Sequence, residues 1–194
     1  MTTTPQIYVA CLASYNNGEH HGEWMDADDE DVIRENIATL LRTSRYPNVT
    51  IDCPEECEGE DPKCDTCKGT GKVRSAEEFG IFDTSGLCGL VGEWTPIERV
   101  CEVAAAVAQY GAVFAIASEY WSNLEDATSA MEHYRGEFDS AGDYAREFYD
   151  ECYSEAMEAM PTALRYAIDW EQVANGLDIT EIRSGGMVHI FGDW

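Results

Sequence analysis

The segment SAGDYAREFYDECYSEAMEAM, from Ser140 to Met160, has the clearest structural pattern in the chain. If it forms one α-helix with about 3.6 residues per turn, its side chains fall on two faces. Ser140 can cap its start, with Asp143 completing the capping box. One face is apolar and wide enough to pack on a core; its residues are Ala145, Phe148, Tyr149, Cys152, Tyr153, Ala156, Ala159 and Met160. The other is an acidic stripe within an arc of roughly 140°, formed by Asp143, Glu147, Asp150, Glu151, Glu155 and Glu158.

The charge spacing along this stripe is close to that of a DNA strand. From Asp143 to Glu158 a helix rises about 22 Å, so the carboxylates follow one another every ~4 Å, against about 3.4 Å between phosphates along one strand. Like charges four residues apart repel one another, and Arg146 is the one cation within the segment. An ordinary solvated helix face explains the same pattern. The charge of the whole chain is needed to separate the two interpretations.

The whole chain is strongly acidic. It has 38 Asp and Glu against 12 Lys and Arg, which gives a formal net charge of −26 over 194 residues. This balance argues against nucleic acid as a direct ligand. Apolar residues make up 44% of the chain, and the acids are dispersed, with the longest run from Asp28 to Asp31. We therefore expect a folded protein that displays its charge on regular elements.

No segment resembles a secretory signal or a membrane span. The most apolar stretch, from Val103 to Ala117, is too short to cross a bilayer and is interrupted by Gln109 and Gly111. These features predict a cytoplasmic protein. In a reducing compartment, cysteines that cluster in sequence are metal ligands more often than disulfides.

A cysteine-rich insert, residues 53–74, interrupts the N-terminal part of the chain. Three residues separate Cys53 from Cys57, and two separate Cys64 from Cys67. Four thiolates at this spacing can close a tetrahedral zinc site, and a site filled by four protein ligands is structural and not catalytic. The alternatives are a reduced, flexible loop with unused thiols and a catalytic CxxC redox pair.

The residues on both sides of the insert predict a small sheet that carries one helix. The helix follows the acids Asp28 to Asp31, which suit a helix N-terminus, and its apolar face is Ile33, Ile37, Leu40 and Leu41. The turn signal Asn17-Gly18 separates the first two strands. The predicted strands are Ile7–Ser14, Gly22–Met25, Val49–Asp52 and Glu78–Asp83.

The rest of the chain predicts helices followed by a closing hairpin, which makes the fold class α+β. Thr95 is expected to cap the first of these helices, with Pro96 at its first position and Glu98 closing the capping box. The others are Ala112–Trp121, a helix opened by Ser122 and Glu125, the acidic helix, and a shorter one from Pro161 to Gly176. The hairpin consists of Ile179–Arg183 and Met187–Phe191.

No catalytic constellation is recognisable, and we expect a protein without enzymatic activity. The four histidines have no partner in sequence that would define an acid/base pair. The isolated cysteines lie in apolar sequence, which predicts that they pack in the interior. These cysteines are Cys11, Cys88, Cys101 and Cys152.

Four segments resemble the ArdA antirestriction proteins, a family of acidic DNA mimics encoded on mobile genetic elements. The first, IYVACLASYNNGEHHGEWMDA, contains a turn of the form NxG followed by Gly-x-Trp, which look like the opening of that family. The segments are Ile7–Ala27, Glu77–Gly86, Tyr134–Glu151 and Met160–Asp178. The cysteine-rich insert departs from the family pattern, which leaves open whether it extends the N-terminal arm or adds a contact.

The resemblance implies an elongated chain of three small domains that forms a homodimer and imitates a bent DNA duplex. On this sequence the domains would be an N-terminal α+β domain at 1–90, a helical middle domain at 91–121 and an acidic α+β domain at 122–194. The implied partner is the DNA-binding core of type I restriction-modification enzymes, formed by their methyltransferase and specificity subunits. Occupying the DNA channel would block restriction.

The predicted DNA-mimic surface consists of acids on the predicted helices and on the segments next to them. These acids are Asp28, Asp29, Asp31, Glu125, Asp126, Glu132, Glu137, Asp139, Asp143, Glu147, Asp150, Glu151, Glu155 and Glu158. The alternative function is an acidic, zinc-containing adaptor that binds a basic protein without imitating DNA. Competition with DNA separates the two, because a mimic and a duplex cannot occupy the target together.

Charge also bears on the size of the mimic. At duplex charge density, about one charge per 1.7 Å of axis, 26 net charges correspond to roughly 44 Å of DNA. A two-fold dimer doubles this length. Its interface must be apolar and poor in acids because both chains are negative. The candidates, each of which could equally pack within the chain, are Tyr134, Phe138, Tyr166 and Trp170.

Overall fold

A computed structural model describes residues 4–55 and 57–192 of the chain. The chain forms two compact units, Met1–Gly111 and Ala112–Trp194. Both units combine helices with small antiparallel sheets, which confirms the predicted α+β class. The division into three domains stays a prediction. No helix of the described ranges is both long and apolar enough to cross a membrane.

The first unit is built on a three-stranded sheet with its central strand at the N-terminus. In the described part of this unit the elements are β1 (Gln6–Cys11), α1 (Leu12–Asn16), β2 (Gly22–Asp26), α2 (Glu30–Arg42), β3 (Val49–Asp52), β4 (Lys72–Ser75), β5 (Phe79–Ser85) and α3 (Ile97–Tyr110). The strand order is β2-β1-β5, and every pairing is antiparallel. Strands β3 and β4 pair with each other in a separate sheet.

The first strand is shorter than predicted. The apolar pattern predicted a strand to Ser14, but the chain leaves the sheet after Cys11 and turns into α1. The Ser14 hydroxyl is buried and lies 2.9 Å from the hydroxyl of Ser44. Because a buried hydroxyl needs a partner, this pair stabilises the turn of the chain where the apolar pattern alone indicates a strand.

The prediction of a single N-terminal sheet was wrong. Strand Val49–Asp52 forms where the sequence predicted it, but it pairs with Lys72–Ser75, which the sequence did not predict. The new strand is short and charged, so alternation of apolar residues could not identify it. The ladder ends at the pair Asp52 and Lys72, so it holds the two ends of the cysteine-rich insert together.

Helix α2 confirms the sequence prediction most closely. Its four predicted apolar residues are buried, and it packs on β1 and β2. A fully buried Ile or Leu contributes about 1.5–3 kcal/mol to folding. Asp29 caps the helix, because its Oδ1 accepts hydrogen bonds from the backbone N–H groups of Asp31 and Val32, at 3.0 and 3.1 Å.

Helix α3 begins differently from the prediction. Thr95 does not cap it, since the Thr95 hydroxyl accepts a hydrogen bond from the backbone N–H of Gly92 at 2.9 Å. The N-cap residue is Pro96, and no side chain caps the helix. The hydrogen bond from Gly92 closes a tight loop over residues 92–95 instead. The apolar face of the helix is buried as predicted, with Ile97, Val100 and Val103 in the core.

The second unit contains a second three-stranded antiparallel sheet with helices packed on it. In its described part the elements are α4 (Ala112–Trp121), α5 (Leu124–Glu132), β6 (Tyr134–Phe138), α6 (Ala141–Cys152), α7 (Ser154–Ala159), α8 (Thr162–Arg165), α9 (Trp170–Ala174), β7 (Ile179–Ser184) and β8 (Met187–Gly192). The strand order is β6-β8-β7. The predicted hairpin is confirmed as β7 and β8, and its turn residues Gly185 and Gly186 have φ of 62° and 91°, as a type I′ turn requires.

Three features of the second unit differ from the prediction. The sequence did not predict strand β6, and the pattern after Pro161 forms two separate helices, α8 and α9. Helix α5 is capped by Asn123 instead of Ser122. Two predictions about isolated residues also need correction. Cys11 is buried as expected, but Cys152 is exposed, and Cys88 and Cys101 are only half-buried.

His189 is buried in the sheet, and the fold gives it partners that the sequence did not reveal. Its Nδ1 lies 3.1 Å from the Tyr134 hydroxyl, and its Nε2 lies 4.0 Å from Oε2 of Glu137.

The acidic segment is two helices and not one. Helix α6 ends at Cys152, Tyr153 has φ −128° and ψ 32°, and α7 follows from Ser154. The predicted cap is confirmed, because the Ser140 hydroxyl oxygen accepts the backbone N–H of Asp143 at 3.1 Å. Tyr153 lies in an aromatic cluster, with its ring stacked on Tyr149. The face calculated for a single straight helix therefore does not extend past residue 153.

Gly142 is a point of close contact between α6 and α9, and it generates a testable prediction. A Cβ at Gly142 would lie 3.0 Å from the backbone nitrogen of Glu171 and 2.9 Å from its Oε1. Gly142→Ala should therefore separate the two helices and destabilise the second unit by about 1–3 kcal/mol. Hydrogen exchange should show faster exchange of the amides of α6 and β8, with those of β1 unchanged.

Gly176→Ala is the matched control, because a Cβ there would meet no atom closer than the Val173 carbonyl oxygen at 3.4 Å. Equal protection of the second unit in the two variants would contradict the proposed close packing.

Candidate metal centre and acidic surface

The four cysteines of the insert converge on one point. Their sulfur atoms all lie within 4.8 Å of one another, and Cys53, Cys64 and Cys67 are buried while Cys57 is half-buried. The shortest separations are 3.2 Å between the sulfurs of Cys57 and Cys67 and 3.7 Å between those of Cys53 and Cys64. Val73 packs against the cluster from β4. The sequence prediction that these four side chains meet is therefore correct.

The two halves of the cluster have the same backbone form. After Cys57 come Glu58 and Gly59 with φ of 46° and 84°, and after Cys67 come Lys68 and Gly69 with φ of 54° and 82°. Two left-handed residues after a cysteine turn the backbone back around the sulfur. The backbone N–H of Gly71 also donates to the Cys67 sulfur at 3.3 Å.

The sulfurs influence one another's ionisation. Burial opposes the Cys67 thiolate, but hydrogen bonds from the Cys57 thiol and from the Gly71 backbone outweigh it, so the pKa of Cys67 is lowered. A backbone hydrogen bond from Gly59 favours the Cys57 thiolate, yet the neighbouring Cys67 thiolate outweighs it, so the pKa of Cys57 is raised. The ionisation of one of these thiols therefore depends on that of the other.

The cluster fits a metal ion. A tetrahedral zinc with Zn–S bonds of about 2.3 Å holds its sulfurs about 3.8 Å apart, and the separations here run from 3.2 Å to at most 4.8 Å. The four cysteines can therefore hold one metal ion with small side-chain shifts. They would fill all positions of a tetrahedral site, which leaves no position for a reacting water molecule.

The predicted acidic residues of the first unit lie at the start of α2. Asp28, Asp29 and Asp31 are exposed, and Asp29 also caps the helix. Their negative charge also acts on Cys101 in α3. Burial raises the pKa of the Cys101 thiol, and the charges of Glu30, Asp29 and Asp28 raise this pKa further. These acids therefore create a negative potential at this end of α2.

The predicted acids of the second unit lie on α5, on β6 and the residue that follows it, and on α6 and α7. All of them are exposed except Asp150, which is half-buried and whose Oδ1 accepts from Arg165 Nη2 at 2.9 Å. Asp143 also has a local partner, because it accepts a hydrogen bond from the Ser140 hydroxyl at 2.8 Å. The exposed acids of this group are Glu125, Asp126, Glu132, Glu137, Asp139, Asp143, Glu147, Glu151, Glu155 and Glu158.

The candidate interface aromatics separate into two classes. Phe138 and Trp170 pack against the core of the second unit, and Tyr134 contacts Phe191 at 5.1 Å between ring centroids. Tyr166 is 87% exposed, and its neighbour Leu164 is 60% exposed. Of the four predicted residues, Tyr166 is therefore the one free to contact another molecule.

The sequence analysis missed one surface on the first unit. Trp94 is 67% exposed, and it lines a cavity of about 300 Å³ together with Glu77, Glu78 and Glu93. These residues come from two loops and show no periodicity, so no pattern could join them. The one sequence feature that could have indicated this surface is Trp94 directly after Glu93 in a turn.

Comparison with known proteins places the chain in a family. A family model described as antirestriction protein (ArdA) matches residues 7–188 of the 194-residue chain. No curated protein sequence matched the chain. The matched range covers most of both units and includes the four clustered cysteines. The chain therefore belongs to the ArdA family of antirestriction proteins.

Proposed function

We propose that this antirestriction protein inhibits type I restriction-modification enzymes by presenting carboxylates where the enzyme binds DNA phosphates. One observation carries the proposal: in residues 4–55 and 57–192 no Asp or Glu is buried, although the chain has 38 of them. The acids are therefore available to a partner. Family membership supports the antirestriction role, and the net charge of −26 supports the mimicry.

The proposed mechanism is electrostatic displacement. A DNA-binding channel carries lysines and arginines, and any dense array of negative charge attracts them electrostatically. The carboxylates accept these contacts in place of phosphates, and the duplex is excluded because both ligands need the same cations. Complementary charge raises the association rate more than it raises affinity, and salt screens it over about 8–10 Å.

An acidic adaptor that binds beside DNA is the second candidate, and the cysteine cluster is the observation that favours it. An electrophoretic assay with a methyltransferase core, duplex DNA and this protein separates the two. Mimicry requires DNA and this protein to displace each other from the core. A ternary complex of all three would support the adaptor instead.

The acids of α6 and α7 should act together. Glu147, Glu151, Glu155 and Glu158 are exposed, so replacing all four with glutamine should leave the fold intact. At about 0.5 kcal/mol for each exposed charge, the four changes should raise the Kd roughly 30-fold at moderate salt, whereas Glu147→Gln alone should change it about twofold. The competition assay measures both.

The matched control removes the same charge from exposed acids elsewhere, as Glu23→Gln, Glu35→Gln, Glu119→Gln and Asp178→Asn. If both four-fold variants lost affinity equally, net charge alone would explain inhibition, and the assignment of α6 and α7 would be wrong.

The cysteine cluster is proposed to bind one structural zinc ion. The support is an all-thiol donor set, the short sulfur separations and the turns that wrap around Cys57 and Cys67. A zinc held by four thiolates carries a net charge of about −2, which suits an acidic surface. The ladder between β3 and β4 closes the insert, so its order should depend on the metal.

Protein purified under reducing conditions should therefore contain about one zinc per chain by elemental analysis. Replacing Cys64 and Cys67 with serine should remove the zinc and increase amide exchange within 53–74, while the amides of α2 stay protected. Cys152→Ser is the control, because Cys152 is exposed and distant in sequence from the cluster. Absence of zinc from the parent protein would refute the proposal.

A homodimer is proposed through the segment Pro161–Ile168. Almost every residue of this segment is exposed, and it contains no acid, so two copies can approach there with little repulsion. Tyr166 and Leu164 supply the apolar contact. Two acids, Asp150 and Glu158, line a cavity together with this segment, and Asp150 is paired with Arg165.

Sedimentation at micromolar concentration should give a dimer for the parent and a monomer for the double variant Leu164→Asp and Tyr166→Asp. Both side chains are exposed, so the fold should persist. Val32→Asp places a charge at another exposed apolar side chain and should remain dimeric. A parent protein that sediments as a monomer would exclude this interface.

A further inference from the structure

Trp94 lies in a groove of the first unit that is lined by both apolar residues and glutamates. The groove has a volume of about 300 Å³, and its lining includes Phe79 and Pro96 as well as the three glutamates. At 67% exposed, Trp94 is the most exposed tryptophan among the described residues. Glu77, Glu78 and Glu93 are exposed around it.

A second groove adjoins the first and shares Glu93 with it. Tyr15 and Phe82 line this second groove, with their ring centroids 4.9 Å apart, and Asp83 adds a further carboxylate. Tyr15 is 49% exposed and Phe82 is 38% exposed. The two grooves together form what we call the Trp94 surface, which consists of Tyr15, Glu77, Glu78, Phe82, Asp83, Glu93 and Trp94.

The walls of the Trp94 surface are held by the backbone. The backbone N–H of Ile81 donates to the Glu93 carbonyl at 3.0 Å, and that of Leu12 donates to the Glu78 carbonyl at 3.1 Å. The 92–95 loop is closed by the hydrogen bond from Gly92 to Thr95. A Cβ at Gly80 would lie 3.3 Å from Glu93 Cγ, so the glycine leaves room for that side chain. The surface is therefore formed before any partner binds.

The carboxylates of this surface lack a cation of their own. Among the described residues, Glu77, Glu78 and Glu93 make no ion pair, whereas Glu30, Glu102 and Asp150 each pair with an arginine. Three glutamates without an ion pair and an exposed tryptophan in one groove give a site of negative potential with an aromatic wall. Positive charge is the complement of both components.

We propose that the Trp94 surface binds an arginine side chain that the target enzyme presents from its DNA-binding face. A planar guanidinium can stack on the indole while its N–H groups donate to the surrounding carboxylates, which a lysine ammonium cannot do equally well. This inference rests on the proposed function for its partner. A second copy of this chain is a poor occupant, because its own carboxylates would face those of the Trp94 surface.

The Trp94 surface would give the inhibitor one localised contact with its target that DNA does not make. Exposed charge pairs contribute little individually, and binding energy concentrates on a few buried aromatic and arginine side chains. Burying Trp94 against an arginine supplies such a contact within a diffuse array of acids. The bound position of the protein on its target would then be set by the Trp94 surface.

The first test is independent of any restriction enzyme. The indole N–H signals of 15N-labelled protein, which has five tryptophans, are followed during titration with a blocked Arg-Gly-Arg-Gly-Arg peptide. The Trp94 signal, identified with Trp94→Phe, should shift saturably, and the same peptide with citrulline in place of arginine should leave it in place. Equal shifts with both peptides, or equal shifts of Trp24 and Trp94, would overturn the proposal.

The second test measures binding to the methyltransferase core. Trp94→Ala should weaken binding at least tenfold, Trp94→Phe should weaken it less, and Trp24→Ala should change it less than twofold. Trp24 is the matched control because it is 47% exposed and packs on Tyr8 outside the grooves. Equal losses for Trp94→Ala and Trp24→Ala would overturn the proposal.

A third set of variants separates local charge from net charge. Replacing Glu77, Glu78 and Glu93 with glutamine should weaken binding at least tenfold, against a smaller loss for Glu23, Glu35 and Glu119 replaced together. Equal losses would overturn the arginine site. If the parent protein neither bound the core nor was displaced by DNA, the proposed function would fail, and the peptide titration would still decide whether the arginine site exists.

Discussion

Self-repulsion among 38 acids with only 12 cations constrains every other feature of this protein. A carboxylate removed from water without a cation is strongly destabilising, and most of these acids have no cation available. The described acids accordingly all reach solvent, and the buried polar side chains of the described residues are serines and His189. The cores are left to apolar residues, several of them as small as Ala141 and Ala145. Helices α2, α3 and α6 accordingly bury an apolar face and keep their acids accessible to solvent.

The cysteine cluster takes the place of an apolar core in the insert. The insert between β3 and β4 is too polar to bury a core of its own, and its sulfurs, with Val73, are the apolar centre that it has. A bound zinc ion would hold the four thiolates together, and its bonds to sulfur would supply the cohesion that apolar packing gives elsewhere. The β3–β4 ladder and the bond from Ala76 to the Leu41 carbonyl then attach the module to α2. The module therefore depends on chemistry that differs from the packing of the units.

The exposed acids and the Trp94 surface have different proposed roles in recognising the target. Exposed carboxylates act over distance and tolerate changes in position, which suits attraction to a basic channel. An aromatic side chain acts only in contact, and the backbone hydrogen bonds around Glu78, Glu93 and Thr95 hold the residues near Trp94 in place. The exposed acids would first attract the target, and the Trp94 surface would then fix the position of the inhibitor on it.

Periodicity and spacing in the sequence determined the helices with one apolar face, the closing hairpin and the grouping of the four cysteines of the insert. In these cases the residues that act together lie within one element or one short insert: Ile33 and Ile37 are one turn apart, and Gly185-Gly186 makes its turn alone. Only the tertiary structure decided that Ser14 leaves the sheet to meet Ser44, that Lys72–Ser75 is a strand, and that the acidic segment bends at Tyr153. The same holds for the groove at Trp94, whose walls come from separate loops. Each of these features depends on a partner distant in sequence or on packing around the segment, and neither leaves a periodic pattern in the sequence itself.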